Sequence, residues 1–359
     1  MKKLYVIAGE PSGDFLGAGI ISELMKIENL QIFGIGGKLM ENAGLQSLFD
    51  IKEISVGGIF EVIPHIFKIK RLIEKTLDDV INKNPDILLT IDSPGFCFRI
   101  ARIVKKRNPK IKLVHLVAPS VWAWRPNRAK KLARLYDHLL TLFDFEPPYF
   151  TKYGLPTTFV GHSAIEYFKE SAMEKENLLL ILPGSRDQEI KSLLPIFLEA
   201  SRHLNFERIV IPTLPHLESL IRSIVGNDSV IEIVSEEIKK NQLFQRAKCA
   251  IVASGTATLQ LALSGCPMVV CYKLASLSYH IMKLMVKVPY ISLVNLILNK
   301  KVVPELIQND CDSEKISKAI NSLDFEKQRE DFRNLRKKLQ PENLNPTAKI
   351  SKILIDLFR

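Results

Sequence analysis

Cysteine is scarce and forms no pattern in this chain of 359 residues. The five cysteines are an odd number, and no two of them stand at C-x-x-C spacing. A disulfide framework and a cysteine zinc site are therefore excluded. The histidines, among them His65, His115, His162 and His216, show no ligand spacing, so no metal is predicted. We expect buried, reduced thiols at Cys97, Cys249, Cys266, Cys271 and Cys311.

Long hydrophobic runs are also missing. Lys273, Lys283 and Lys287 interrupt the most apolar region, so no stretch reaches the roughly 20 apolar residues that a transmembrane helix needs. The chain opens with Met1-Lys2-Lys3 and an apolar run at 4–8 that is too short for a secretory leader. We expect a cytoplasmic protein that is not an integral membrane protein.

Acidic residues are outnumbered, because 39 Asp and Glu face 50 Lys and Arg, which gives a formal net charge of +11. This excess attracts anions, which include phosphorylated substrates, nucleic acid and an anionic bilayer, and charge alone does not choose among them. A nucleic-acid-binding protein is the non-enzyme alternative. It lacks a helix-turn-helix, zinc or aromatic RNA-binding signature, and the basic residues are dispersed, so no nucleic-acid partner is expected.

Short apolar runs alternate with helical patterns along the whole chain, as is typical of parallel sheets covered on both faces. We predict an α/β fold of two Rossmann-like, doubly wound domains that face each other across a cleft. The predicted domains are 1–165 and 166–323, with a polar junction at 166–177 and a charged helical tail at 324–359. This tail packs back on the first domain or on a partner chain. The predicted strands are 4–8, 31–35, 87–91, 112–117, 138–142, 158–160, 178–182, 208–211, 230–234, 249–252 and 268–271.

Two turns in the second half have the character of phosphate-binding turns. Leu182-Pro183-Gly184-Ser185-Arg186 and Ala253-Ser254-Gly255-Thr256 each end an apolar run with small residues before a helical pattern. Free backbone N–H groups and the positive end of a helix dipole favour an anion at such a place. Arg186 adds a planar cation that can hold two phosphate oxygens. A nucleotide diphosphate is therefore the expected ligand.

Carboxylates follow two predicted strands of the first half. Glu10 and Asp14, in the loop at 8–14, would repel a pyrophosphate, so we expect this loop to meet sugar hydroxyls, although a plain tight turn remains the alternative. Asp92 ends the strand 87–91, where an open sheet presents side chains to a ligand. It could take a proton from an attacking hydroxyl, or it could cap the helix that starts near Pro94.

Two further segments are unusually apolar or aromatic. The loop at 118–125 contains both tryptophans, Trp122 and Trp124, which either line a pocket or cap the domain. The segment at 57–67 is apolar and is followed directly by Lys68, Lys70, Arg71 and Lys75. Ordinary core packing is one explanation, and contact of a peripheral protein with an anionic bilayer is the other.

Taken together, these motifs resemble the lipid-A-disaccharide synthase family of inverting, two-Rossmann-domain (GT-B, family 19) glycosyltransferases. The resemblance covers nearly the whole chain, and several blocks in the same order are more specific than any one block. It rests on the blocks at 8–14, 91–94, 119–124, 159–162, 182–186, 253–258 and 292–296.

This resemblance implies UDP-2,3-diacylglucosamine as donor and 2,3-diacylglucosamine 1-phosphate as acceptor. The implied products are the β-1,6-linked disaccharide 1-phosphate of lipid A biosynthesis and UDP. The donor is a substrate, so neither a cofactor nor a metal is expected. The resemblance also implies peripheral association with the inner face of the Gram-negative inner membrane and a possible homodimer.

The family's important aspartate falls on Asp92 of this chain, and its important arginine falls on Arg186. Asp92 is the expected base, and Arg186 is expected to stabilise the leaving group. Gln260 replaces a glutamate that related transferases often use for the ribose hydroxyls, so its contribution is open. The remaining expected positions are Glu10, Ser12, Asp14, Ser120 and Trp122 on the acceptor side; Gly184, Ser185, Ser254, Gly255, Thr256, Gln260 and Asn295 around UDP; and Ile59, Phe60, Ile63 and Phe67 at the membrane.

A different UDP-sugar enzyme is the competing interpretation. An N-acetylglucosaminyltransferase of the cell wall or an epimerase would use the same phosphate turns, but it would have no use for an acyl-contact segment. Assays with acylated and unacylated acceptors distinguish such an enzyme from a lipid-A-disaccharide synthase.

Overall fold

The computed structural model describes residues 1–54, 66–171, 174–273, 288–340 and 344–359. The chain forms two compact units, of which the first comprises Met1–Ser163 together with Gln340–Arg359, and the second comprises Ala164–Leu339. Each unit contains one parallel β-sheet with helices between its strands. The predicted fold class of two doubly wound α/β domains is therefore confirmed.

The first unit is built on a seven-stranded sheet of order β3-β2-β1-β4-β5-β6-β7. All neighbouring strands in it are parallel. Its elements in chain order are β1 Lys2–Ala8, α1 Pro11–Ile27, β2 Leu30–Ile35, α2 Lys38–Asn42, β3 Gln46–Ser47, α3 Ile66–Lys83, β4 Ile87–Ile91, α4 Pro94–Arg107, β5 Lys112–Leu116, α5 Asn127–Ala133, β6 His138–Thr141, α6 Pro148–Thr151 and β7 Thr157–Phe159.

The core of this unit lies on both faces of the sheet. Side chains alternate between the faces along a strand, so β1 sends Tyr5 and Ile7 into one apolar cluster and Leu4, Val6 and Ala8 into the other. All five are fully buried. This double burial explains why the strand is apolar throughout and shows no alternation with polar residues.

The second unit carries a six-stranded parallel sheet of order β10-β9-β8-β11-β12-β13. The sheet positions β8 and β11 at its centre, which places the two turns that follow these strands side by side. The elements are α7 Ala164–Tyr167, β8 Glu176–Leu182, α8 Asp187–Arg202, β9 Arg208–Pro212, α9 Glu218–Val225, β10 Ile231–Val234, α10 Glu237–Arg246, β11 Ala247–Ala253, α11 Thr256–Leu263, β12 Met268–Tyr272, α12 Leu293–Leu298, β13 Glu305–Ile307, α13 Ser313–Asn321 and α14 Phe325–Leu339.

The C-terminal tail, predicted as one segment, is divided between the units. Helix α14 belongs to the second unit, where Phe332, Leu335 and Leu339 are buried. The last helix, α15 (Pro346–Leu357), returns to the first unit and packs on α1, with Ile350 and Leu354 in the apolar cluster there. Each of these two helices packs its apolar face on a different unit. The charge pattern of the tail did not indicate this division.

The eleven predicted strands are all present, with ends that differ by at most two residues. The strands β3 and β13 were not predicted, because two and three residues, none of them buried, give no usable periodicity. The five cysteines are buried and free, as expected. Within the described parts of the chain, no helix is both long and apolar enough to cross a membrane.

Candidate active site

In the first unit, the loops after β1 and β4 meet at the carboxyl edge of the sheet. The two strands pair directly, with Ala8 opposite Ile91. Gly9 lies so close to Ser93 that a Cβ placed on it would stand 2.2 Å from the Ser93 Oγ. Only glycine fits here, because any side chain would overlap the neighbouring loop. The structure therefore brings the predicted acceptor loop and the Asp92 loop together.

Asp92 occupies a strained turn between β4 and α4. Asp92 and Ser93 both adopt left-handed backbone conformations, with φ of 51° and 43°. Such conformations cost free energy in residues other than glycine and are concentrated at functional sites. Burial raises the pKa of the half-buried Asp92 carboxyl, and a hydrogen bond with the Ser93 backbone opposes this shift. A carboxylate with a raised pKa is a better proton acceptor, which agrees with the predicted role of a base.

Asp14 has a structural role that the sequence prediction did not foresee. Its Oδ1 accepts hydrogen bonds from the backbone N–H groups of Gly37, at 2.8 Å, and Met40, at 3.0 Å, and its Oδ2 accepts one from Leu39. The residue is 6% exposed. Asp14 therefore holds the start of α2 against α1, and the assignment to the sugar acceptor is corrected. Glu10 and Ser12, in contrast, are exposed at the start of α1.

The tryptophan loop after β5 packs against the loop after β6. The Trp122 Nε1–H donates a hydrogen bond to Glu146 Oε1 at 3.3 Å, and its ring meets Phe145 edge to face at 5.5 Å between centroids. Trp122 thus closes an aromatic cluster with only part of its surface free. Ser120 is exposed, and its carbonyl oxygen accepts the N–H groups of Ala123 and Trp124.

Glu146 is a candidate functional residue that the sequence analysis missed. It is 2% exposed, and burial raises its pKa to about 8, against hydrogen bonds from the Phe143 backbone and the Trp122 side chain. Nearby, burial lowers the pKa of His162 to about 4, so this ring is neutral at pH 7. The position of Glu146 just after β6 was the available signal, since ligands meet parallel sheets at the carboxyl ends of strands.

In the second unit, the two predicted phosphate turns are neighbours. Strands β8 and β11 are paired, with Leu182 opposite Val252, so the turns that follow them leave the sheet side by side. Helices α8 and α11 start directly after these turns, at Asp187 and Thr256. The positive ends of two helices therefore lie at the same edge of this sheet.

A carboxylate of the chain itself lies in the first turn. Glu189 Oε2 accepts the Ser185 backbone N–H at 3.2 Å, and Glu189 Oε1 accepts a hydrogen bond from Arg186 at 2.9 Å. Gly184, at φ 117°, passes so close that a Cβ there would stand 2.5 Å from the same carboxylate. The Glu189 carboxylate thus occupies the predicted anion seat. The sequence analysis did not foresee this.

The second turn offers fewer donors than its sequence indicates. The Ser254 N–H donates to the Cys271 carbonyl oxygen, and the Ser254 hydroxyl donates to the Ile291 carbonyl oxygen at 3.0 Å. Ser254 therefore keeps only its hydroxyl lone pairs for a ligand. Gly255 and Thr256 are exposed at the start of α11, and Gln260 is half-buried one turn further along the helix.

Asn295 supports this region from within the core and does not reach its surface. It is fully buried, and its Oδ1 accepts the N–H groups of Val302 and Val303. Its Nδ2 donates to the Val303 carbonyl oxygen and to Glu305. These bonds occupy the whole amide, so the predicted direct contact of Asn295 with UDP is corrected to structural support.

The predicted membrane residues are only partly described. Phe67, at the start of α3, is 84% exposed. Ile59, Phe60 and Ile63 lie outside the described residues. Among the residues whose placement is described, no group of three or more His, Cys, Asp or Glu side chains could hold a metal ion.

Sequence comparisons give consistent results over nearly the whole chain. A family model described as lipid-A-disaccharide synthetase matches residues 4–354. The chain is 44% identical to the lipid-A-disaccharide synthase of Rickettsia bellii (strain OSU 85-389), over 90% of this chain and 89% of that protein. It is 41% identical to the enzyme of Rickettsia prowazekii (strain Madrid E), again over 90% and 89% of the two chains.

Solved structures with the same fold are more distant in sequence. A UDP-GlcNAc 2-epimerase from Neisseria meningitidis bound to UDP-GlcNAc aligns with a TM-score of 0.65 at 14% identity, over 99% of both chains. MurG from Acinetobacter baumannii aligns with a TM-score of 0.61 at 13% identity, over 99% of this chain and all of that one. At such identities the likeness shows a common fold of two parallel-sheet domains, as in GT-B proteins.

Proposed function

Because this chain belongs to the lipid-A-disaccharide synthetase family, we propose that it joins UDP-2,3-diacylglucosamine to 2,3-diacylglucosamine 1-phosphate. Family membership makes it a UDP-sugar-dependent glycosyltransferase that forms the lipid A disaccharide. The acylation of both substrates, the membrane contact and the residue roles are parts of the proposal.

The anion seat in the second unit is the observation that carries this proposal. Ser185 N–H and the Arg186 guanidinium already converge on one carboxylate, that of Glu189. A diphosphate offers more oxygens and more charge than a carboxylate does, and it is therefore the better ligand for the same donors. We assign the UDP pyrophosphate to this seat and to the start of α11, with Gly255 and Thr256 as further backbone donors.

We assign the activation of the acceptor to Asp92. Its carboxylate takes the proton of the acceptor 6-hydroxyl as that oxygen attacks the anomeric carbon of the donor. The bond between the anomeric carbon and the β-phosphate oxygen breaks, UDP leaves with that electron pair, and the configuration at the anomeric carbon inverts. Preorganised donors that stabilise the leaving charge, here Arg186 and the helix starts, lower the barrier of such a transfer.

We propose that the reaction uses no metal ion. Arg186 is a permanent cation, and two helix starts add partial positive charge on the same edge of the sheet. Together they supply the charge that a divalent cation provides to a leaving pyrophosphate in other transferases. We expect turnover to be unchanged after treatment with EDTA. A loss of turnover in EDTA that added Mg²⁺ or Mn²⁺ restores would overturn the proposal of a metal-independent reaction.

The proposed membrane contact is supported by Phe67. An aromatic ring that is 84% exposed at the start of α3 is costly in water, and Lys68 and Lys70 follow it directly. Such a combination suits the anionic inner face of the inner membrane, where the acyl chains of both substrates are seated.

The test is product analysis by mass spectrometry after the purified protein is mixed with both lipids. We expect the disaccharide 1-phosphate and UDP in equal amounts, and no product from UDP-GlcNAc with an unacylated acceptor. Transfer to the unacylated acceptor, or epimerisation of UDP-GlcNAc without transfer, would overturn the proposed substrates.

A further inference from the structure

A cavity of about 770 Å³ in the first unit is open to solvent, and its lining includes six cations and no acidic residue. It lies between α4 and the segment 125–135, which includes α5. The lining extends from the first turn of α4, at Pro94 and Gly95, to Leu135, which lies just beyond the end of α5. Six of the residues that line it carry a positive charge: Arg99, Arg102, Arg125, Arg128, Lys131 and Arg134.

These six charges are not neutralised by the described part of the chain. None of them has a carboxylate oxygen within 4.0 Å among the described residues, whereas other cations of α4 do have partners. Lys105 pairs with Asp137, and Arg107 lies 4.0 Å from Asp78. Uncompensated cations around one concave site attract an anion from outside the chain.

Two of the arginines are held in place against an aromatic ring. The guanidinium carbons of Arg125 and Arg128 lie 4.3 and 5.1 Å from the ring centroid of Trp124. Arg125 reaches this position through a left-handed backbone with φ of 51°. Burial lowers the pKa of Arg128, and the charge of Arg125 lowers it further. Like charges that are kept this close favour binding of a multiply charged anion between them.

The cavity also adjoins the proposed base. Pro94 and Gly95, which line it, begin α4 and follow Asp92 by two and three residues. A sugar whose hydroxyl meets Asp92 could therefore place a charged substituent among the arginines. Neither the family comparison nor the residue predictions assign this cavity a role.

We propose that the cavity binds the phosphate monoester of the acceptor sugar and so selects phosphorylated acceptors. The phosphate carries close to two negative charges, and guanidinium groups bind phosphate oxygens in pairs. This inference rests on the proposed function, because it assigns the acceptor to the unit that contains Asp92. The same chemistry would also suit the head group of an anionic phospholipid, and the experiment separates the two.

The test compares the acceptor 1-phosphate with the same acylated sugar lacking the phosphate, in detergent, for the wild-type protein and for R99Q/R102Q. We expect the wild type to prefer the phosphorylated acceptor about 100-fold in kcat/KM, and the double variant to lose at least 10-fold of this preference. UDP affinity should stay unchanged. The matched control is R107Q, on the same helix but outside the cavity, which should keep the full preference. R128Q is a second variant that tests the other side of the cavity.

The outcomes distinguish the hypotheses. No transfer by the wild type with either acceptor defeats the proposed function itself. If transfer occurs and R99Q/R102Q slows both acceptors equally, the proposed phosphate site is wrong. Sedimentation with phosphatidylcholine vesicles, with and without phosphatidylglycerol, measures binding to an anionic lipid surface and so tests the phospholipid head-group alternative. If R99Q/R102Q and R128Q lose binding to the anionic vesicles but keep the preference for the phosphorylated acceptor in detergent, the cavity is a lipid head-group site and the inference is overturned.

Discussion

The carboxylate of Glu189 accepts a hydrogen bond from the guanidinium of Arg186, with 2.9 Å between Oε1 and Nη1. The Arg186 side chain is 77% exposed, and the two residues stand three positions apart on the first turn of α8. The Glu189 side chain is 21% exposed, and a surface ion pair of this kind contributes only about 0–1 kcal/mol. A diphosphate can therefore replace the Glu189 carboxylate at little cost.

Replacing Arg186 by alanine should weaken UDP binding by about 10- to 100-fold and lower turnover, because charge-assisted hydrogen bonds to the pyrophosphate are lost. Titration calorimetry with UDP measures the first effect. The matched control is Arg202→Ala at the other end of the same helix, where Arg202 pairs with Glu199 at 3.0 Å. Equal UDP affinity in both variants would remove Arg186 from the proposed site.

Replacing Glu189 by glutamine should strengthen UDP binding by a few-fold. The variant keeps one acceptor oxygen, which can serve either Ser185 or Arg186 but not both, and it removes a negative charge that competes with phosphate. The same calorimetric titration, repeated at low and high salt, checks this. Weaker binding would mean that the Glu189 charge orients Arg186 for the ligand and does not compete with it.

Replacing Asp92 by asparagine should lower kcat by about 10²- to 10⁴-fold and leave UDP affinity unchanged, because a general base is lost and the donor seat is not. In the wild type, burial raises the Asp92 pKa from its ordinary 3.8. Activity should therefore fall as the pH drops through this raised value, since the protonated carboxyl cannot accept the hydroxyl proton. Asp78→Asn on the exposed face of α3 serves as control. Near-normal turnover of D92N would refute the assignment.

Glu146 should make the stability of the first unit depend on pH. Its pKa rises from 4.5 to about 8 on folding, so the folded state binds this proton more tightly than the unfolded state does. The stabilisation is complete below about pH 4.5 and is lost as the pH rises through about 8. Melting temperatures between pH 5 and 8.5 should therefore fall more steeply for the wild type than for E146Q, in the absence of substrates.

The control for that experiment is Glu41→Gln, at an exposed carboxylate of α2, which should follow the wild-type curve. Parallel melting curves for wild type and E146Q over the whole range would show that Glu146 does not titrate in this way.

Replacing Asp14 by asparagine should reduce stability and leave substrate affinity unaffected. The amide nitrogen of asparagine cannot accept a hydrogen bond, so at least one of the three backbone N–H groups that Asp14 binds loses its acceptor, and an unsatisfied buried donor costs about 1–3 kcal/mol. Denaturant unfolding and acceptor KM distinguish the two effects. A raised KM with unchanged stability would restore the original assignment of Asp14 to the acceptor.

Replacing Phe67 by serine should reduce binding to anionic liposomes by several-fold, because an exposed ring no longer enters the bilayer interface. Ile238 is a matched control, since it is 76% exposed but belongs to the second unit. I238S should bind as the wild type does. Equal loss in both variants would indicate nonspecific hydrophobic adsorption, and no loss in F67S would remove Phe67 from the membrane contact.

Much of the fold could be predicted from the sequence because a strand buried on both faces must be apolar at every position. The run at β1, where Tyr5 and Leu4 go to opposite faces, is one example. The loops that carry Asp92 and Arg186 were predictable for the same reason, since ligand sites of parallel sheets lie where strands end. The membership of α14 and α15 in different units was not predictable, because their amphipathic patterns do not say which surface covers them.

The sequence by itself determined which residue types stand at the strand ends, and hence the chemistry available there: a carboxylate, a guanidinium and small turns at helix starts. Only the tertiary structure decided which of these groups are free. Asp14 and Asn295 have the same functional groups as good ligand-binding residues, yet distant backbone groups already occupy them. Glu189 fills a seat that the sequence leaves open. The reason is physical: hydrogen-bonding capacity is consumed by neighbours in space, and the folded structure decides which neighbours those are, whether they lie 23 positions away, as Gly37 does from Asp14, or three, as Glu189 does from Arg186.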